Sequence, residues 1–231
     1  MGKIYSYVLR YDDGAAPNPF WDLCTLTICK PGIRKGASVG DWVIGTGSKR
    51  ARCNDGQLHD LANHLVYSMK VTDKMSLAAY DDHCARNAPG KIPDAEHGDW
   101  RRRMGDCIYN YGKSGEPTIR VGVHGEGNRK TDLSGQNALL SEQFYYFGEV
   151  AVPLPSDLLI IVNQNQGYKI IEQPGLVAAF EKWIGAFQLN RLEGSPQLKH
   201  QFDVLKDRVK LANCGGCHLE EDLSEEVEVL C

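Results

Sequence analysis

The sequence predicts an α+β fold: a small, mostly antiparallel β-barrel with helices packed on it and a C-terminal helical extension. Three observations lead there. Short runs rich in β-branched and aromatic residues crowd the first seventy positions, Gly, Pro, Asn and Asp separate them, and two apolar stripes at helical spacing lie in the last third of the chain.

The early runs are residues 4–10, 24–28, 41–45 and 65–71, each of strand length and bounded by turn formers. A short helix follows over 76–87, then strands over 118–123 and 144–150, the last stopped by Pro153 and Pro155. Leu176, Phe180, Trp183, Ile184 and Phe187 fall on one helical face. Leu198, Phe202, Leu205 and Val209 repeat that spacing in a second helix, and the loop 189–196 joins the two. The expected organisation is a domain over 1–187, a packed C-terminal helix over 188–212 and an acidic, cysteine-containing tail over 213–231.

The 231 residues are 42% hydrophobic and 24% charged with mean hydropathy -0.38, which excludes collagen-like, coiled-coil and wholly disordered chains. The longest apolar runs, such as 158–162, fall far short of a membrane span. The first residues run directly into a strand pattern with no apolar export region, so a cytoplasmic protein is expected. Charge is uneven. Residues 1–130 hold 19 Lys and Arg against 15 Asp and Glu, and residues 131–231 hold 7 against 15. The acidic run 220–228 repels polyanions and argues against strong nonspecific DNA binding, while the clusters at 49–52 and 101–103 can each touch a few phosphates.

The eight cysteines are read as thiols in a reducing compartment, mostly small core residues. Cys24 and Cys29 are expected on opposite faces of one strand. Cys214, Cys217 and His218 match the haem-attachment pattern, which needs an exported chain, and otherwise supply part of a zinc knuckle that Cys231 or a distant ligand would complete. The favoured reading of the tail is a flexible segment without cofactor, zinc being the alternative.

Familiar catalytic patterns are missing. The glycine-rich run 40–49 lacks the Gly-Lys-Ser/Thr order of a phosphate loop, and 122–127 lacks dinucleotide spacing and reads as a flexible loop. His59, His64 and His97 are too scattered for a metal or acid–base pair, and neither G-x-S-x-G nor H-E-x-x-H occurs. What remains is a polar and aromatic concentration in the first fifty residues: Arg10, Tyr11, Asp12 and Asp13, then Asn18, Phe20 and Trp21, then Trp42, Thr46, Ser48 and Lys49. A base pocket needs flat rings for stacking and donors or acceptors for the base edge. Tyr11, Phe20, Trp21 or Trp42 can stack; Asp12, Asp13 and Asn18 can read an edge; Thr46 and Ser48 present hydroxyls; Arg10, Lys30 and Lys49 can hold a phosphate.

The segments 5–20 (YSYVLRYDDGAAPNPF), 29–31 (CKP) and 39–49 (VGDWVIGTGSK) resemble the second nucleotide-modification-associated domain family, and 66–71, 105–109 and 141–148 agree, with Cys107 standing where Asn is expected. The resemblance implies a role in prokaryotic or phage systems that make or respond to modified DNA bases. The segment 39–48 is also similar to PUA-like and EVE domains, which implies a barrel holding a modified base. The leading expectation is a module that binds a modified base or nucleotide in a DNA-modification or antiphage-defence system. The alternatives are an enzyme of nucleotides or bases, with Asp12 or Asp13 as general base and Lys30 or Lys49 stabilising an anion, and an interaction subunit whose acidic tail docks an operon partner.

Overall fold

In the computed structural model, residues 2–112, 115–199 and 227–230 are described. The N-terminal half contains strands β1 (Ile4–Leu9) and β2 (Cys24–Leu26), helix α1 (Pro31–Gly36), strands β3 (Trp42–Gly47), β4 (Ala51–Arg52), β5 (Leu58–His59), β6 (His64–Lys70) and β7 (Asp73–Ser76), and helices α2 (Leu77–Asn87) and α3 (Trp100–Arg103). There follow β8 (Tyr109–Asn110), β9 (Thr118–Ile119), α4 (Arg129–Ser134), β10 (Asn137–Ser141), β11 (Gln143–Tyr146), β12 (Val152–Pro153), β13 (Tyr168–Ile171), α5 (Pro174–Ile184), β14 (Arg191–Leu192) and β15 (Val227–Leu230).

The main sheet runs β14-β11-β6-β3-β1-β13-β15, with β12 also on β6. Its pairings are mixed: β11–β6, β6–β3, β12–β6 and β1–β13 are antiparallel, whereas β11–β14, β13–β15 and the central β1–β3 are parallel, with Leu9 opposite Gly47. β1 is buried along nearly its whole length, as a central strand covered on both faces must be. Alternation then sorts its neighbours into two layers. Tyr5, Tyr7, Leu9, Val43, Tyr67 and Met69 pack on one face with Leu26, Ile33 and Leu139 from β2, α1 and β10. Ile4, Trp42 and Ile44 pack on the other with Val177, Phe180 and Ile184 of α5. A smaller sheet, β2-β10-β7, covers the first layer.

The fold is thus mixed, with several sheets and helices, as the α+β reading requires. Among the described residues the strands form an open path and no closed barrel is found. Several bounds shift. The expected strand 118–123 is paired only over Thr118–Ile119, and the strand expected over 144–150 spans Gln143–Tyr146 and turns at Gly148, whose φ is +55°. Ser76 caps α2, its hydroxyl accepting from the Ala79 amide, and Pro174 opens α5. The helix expected from Leu198 to Val209 and the site at Cys214, Cys217 and His218 lie largely or wholly outside the described residues. Within the expected acidic tail, Val227–Leu230 forms a strand parallel to β13. No helix among the described residues is long and apolar enough to cross a membrane.

Candidate active site

Because β1 and β3 are parallel, their carboxyl ends open on the same side, where a crevice forms beyond the last paired residues. Arg10 leaves β1 there and Ser48 and Lys49 leave β3. A cavity of about 290 Å³ opens between them, lined by Val8, Arg10, Lys30, Ser48, Lys49 and Asn63 and closed by the segment 162–167. Its described lining holds three cations and no carboxylate, and includes the amide residues Asn63, Gln164, Asn165 and Gln166; the buried Asn163 side chain instead donates to the Asn165 and Gly167 carbonyls. A shallower hollow of about 390 Å³ continues past Arg10 and Tyr11 to Arg50 and Arg52.

Val8, Arg10 and Lys30 also border a smaller inner cavity of about 40 Å³, whose wall includes Tyr7, Asp13, Cys29 and His124. Cys29 does not lie on a strand face. β2 ends at Leu26, and the chain then turns through two consecutive residues in the left-handed region, Cys29 at φ +57° and Lys30 at φ +40°. Such backbone costs on the order of 1–3 kcal/mol per residue and persists only where surrounding contacts hold it. Those contacts converge on this turn. Arg34, fully buried, donates from Nε to the Cys29 carbonyl (2.7 Å) and from its two terminal nitrogens to the carbonyls of Asn137 (2.9 Å) and Asp132 (2.6 Å). Gly135 is required beside it, since an added Cβ would come within 2.4 Å of the guanidinium carbon. The Cys29 amide donates to Asp132 Oδ1 (2.9 Å), and Pro31 starts α1 at once.

The Cys29 sulfur lies 3.5 Å from His124 Nε2, and the opposite ring nitrogen, Nδ1, lies 2.6 Å from Asp132 Oδ2. The Tyr109 hydroxyl donates to the same Oδ2 (2.9 Å). Cys29 is partly exposed, whereas His124 and Asp132 are buried. Burial alone would lower the imidazole pKa, but Cys29 and Asp132 offset it and hold the ring well above its usual value. Burial likewise acts to raise Asp132, yet His124 and Arg34 hold it below the ordinary carboxylate range.

Cys29, His124 and Asp132 each offer a donor atom, all within 4.8 Å of one another, so the set invites comparison with a metal site. The ring orientation speaks against convergence. The imidazole stands between its partners, with Nε2 toward sulfur and Nδ1 toward carboxylate, so a single ring nitrogen does not face a point shared by all three. Both Asp132 oxygens already accept hydrogen bonds. This is the nucleophile–base–orienter geometry.

Of the residues singled out in the sequence, Arg10, Lys30, Ser48 and Lys49 meet at the outer cavity, and Tyr11 and Asp13 border the adjoining hollows. The Lys30 ammonium stands 5.2 Å from the Tyr7 ring centroid, and Asp13 Oδ1 accepts from the Ala15 amide (2.8 Å). The others sit behind or beside the cleft. Asp12 is fully buried, accepting from the Tyr146 hydroxyl and the Gln197 amide. Asn18 is buried on the Lys91 ammonium (2.7 Å to Oδ1) and donates to the Met104 carbonyl (2.9 Å). Phe20 packs edge-on against Trp100 at 5.3 Å. Trp21 lies over Gly90 with the Arg101 guanidinium 5.1 Å from its centroid. The buried Thr46 hydroxyl donates to the Tyr7 carbonyl (3.3 Å), and Trp42 belongs to the α5 face, its Nε1 donating to Glu181 (3.0 Å).

Sequence reasoning did not find Cys29, His124 and Asp132 as a group: Cys29 was expected on a strand face, and the segment containing His124 reads as a flexible loop. Their only local signals are Pro31, which forces a helix start just after the cysteine, and the glycines flanking His124 at 122 and 125.

No curated protein and no solved structure matches the chain. A family model does, that of nucleotide modification associated domain 2, over residues 1–204. With its motifs spread along the first 148 residues and that model spanning most of the 231, the chain belongs to the nucleotide modification associated domain 2 family.

Proposed function

We propose that the protein binds a nucleotide, free or at an accessible position in nucleic acid, with its phosphate held by Arg10, Lys30 and Lys49 and its base facing the amide-rich segment 162–167. The observation that carries this reading is the lining of the outer cavity: three cations, no carboxylate among the described residues, and Asn63, Gln164, Asn165 and Gln166 at one crevice, with the Asn163 amide turned inward on Asn165 and Gly167. Cations so placed give charge-assisted hydrogen bonds to phosphate oxygens, and amides supply both donors and acceptors for a base edge. Tyr11, bordering the adjoining hollow, offers a ring for stacking. The family's association with nucleotide modification supports a nucleotide-class ligand, and a modified base is the natural specificity for such a system.

Calorimetric titration of the full chain with nucleoside phosphates, modified nucleotides and short oligonucleotides tests the proposal. Binding is expected to weaken by roughly tenfold or more in Arg10→Gln and Lys49→Gln, and to fall with rising salt. Absence of binding across the whole panel, or binding that neither substitution changes, overturns it.

A further inference from the structure

We propose that Cys29, His124 and Asp132 form a thiol-based hydrolytic centre that cleaves a small amide or similar acyl substituent from the ligand of the cleft. That the ligand is a nucleotide rests on the reading above; the chemistry of the centre rests on its own geometry. Sulfur, the two ring nitrogens and the carboxylate follow one another at 3.5 Å and 2.6 Å, so His124 can exchange a proton with Cys29 while Asp132 fixes which nitrogen carries hydrogen. Here Cys29 and His124 are the catalytic pair and Asp132 is a positioning residue. An imidazolium beside sulfur favours the thiolate, the nucleophilic form. The left-handed turn at Cys29 and Lys30 places strained backbone at the nucleophile, and the interactions of Arg34 and Asp132 hold it there.

The size of the inner cavity favours a small reacting group. At about 40 Å³ it has room for roughly three water-sized atoms, the content of a carboxamide, while the outer cavity of about 290 Å³ takes the larger anionic body. Val8, Arg10 and Lys30 border both, so the two hollows adjoin and a ligand of the outer one brings its substituents near Cys29.

The thiolate attacks the carbonyl carbon and a C–S bond forms. The C–N bond then breaks and its nitrogen leaves as an amine with the proton held by His124. Water, giving a proton to His124, attacks the thioester; the C–S bond breaks, the carboxylic acid departs and the thiolate–imidazolium pair returns. The balance is an amide and water giving an acid and an amine, with no oxidant or reductant needed.

Cys53 provides an internal reference, being partly exposed as well, with its thiol pushed up by burial and by Asp55. Iodoacetamide, itself a small carboxamide, is added to the full chain and the modified cysteines are followed by mass spectrometry. Near pH 6, Cys29 is expected to react at least about tenfold faster than Cys53, and p-nitrophenyl acetate to give an acetyl group on Cys29 with a burst of p-nitrophenolate. His124→Gln is expected to slow alkylation by about tenfold or more. Asp132→Asn is expected to displace the rate–pH profile, which a merely structural role would leave in place; Lys30, Arg10, Asp13 and Tyr7 on the cavity wall and Arg34 and Tyr109 behind it stay unchanged.

Equal reactivity of Cys29 and Cys53 in the unsubstituted chain, alkylation indifferent to His124, or stoichiometric zinc removed only together with protection of Cys29 would overturn the proposal. Reactive Cys29 without acyl transfer to it would overturn the hydrolytic step. None of these readouts uses a nucleotide, so they fail or succeed independently of the binding titration.

Discussion

Asp12, directly behind the cleft, carries a pH-dependent cost that can be isolated. Its carboxyl is fully buried, and burial pushes it up to about 7 from 3.8 despite hydrogen bonds from Tyr146 and Gln197. Below about pH 4 the carboxyl is protonated in folded and unfolded chains alike, and Asp12 costs nothing electrostatically. Between about pH 4 and 7 the unfolded chain releases this proton while the folded chain keeps it, so stability falls by about 1.4 kcal/mol per pH unit. The loss levels off above the folded value at about 4 kcal/mol. Asp12→Asn removes the titration, keeps an acceptor for Tyr146 and loses the one facing the Gln197 amide, a cost that does not vary with pH. The difference in unfolding free energy between the parent chain and the variant should therefore shift in the variant's favour by about 2 kcal/mol between pH 5 and pH 7. Urea denaturation at half-unit steps measures it. A difference that stays constant within about 0.5 kcal/mol across that window would refute the assignment.

Three further outcomes test the framework that holds the site. Gly45→Ala would bring a Cβ within 2.4 Å of the Tyr67 ring, which is pinned by a hydroxyl bond to Tyr7 (2.9 Å), so a loss of about 1–3 kcal/mol is expected on urea denaturation. Arg34→Lys replaces a planar fork bonded to three carbonyls with a single ammonium, and should cost about 2–4 kcal/mol by the same assay; an unchanged midpoint would remove Arg34 as the anchor of the Cys29 turn. Lys91→Met strips the buried ammonium from Asn18, Leu23 and Thr25 and removes the cation that offsets burial at Asp106, with an expected destabilisation of about 3–5 kcal/mol on thermal unfolding.

Much of the architecture was legible locally. The runs that became β1, β3 and β6 announce themselves by composition and turn boundaries, and helices α2 and α5 by Ser76, Pro174 and apolar spacing, because strand and helix periods act over a few residues. The cationic half of the cleft followed for the same reason: Arg10, Ser48 and Lys49 simply continue strands past their last paired residue. Which side chains of that polar segment face the crevice was not legible. Asp12, Asn18 and Thr46 are polar and close in sequence to it, yet their oxygens bond to Tyr146, Lys91 and Tyr7, two of them remote in the chain.

The sequence by itself determined β1, β3, β6, α2 and α5 and the charges at the strand ends, since each depends on neighbours within a few positions, and it determined the family through motifs spread along the chain. Only the tertiary structure decided that the described strands run as an open path with a parallel pair at its centre, and that a crevice opens at the carboxyl ends of that pair. It also brought Cys29 to His124 across 95 residues and to Asp132 across 103. No periodicity spans such separations: the meeting depends on strand order and on the buried guanidinium of Arg34, which ties the turn at Cys29 to the start of β10 and to α4.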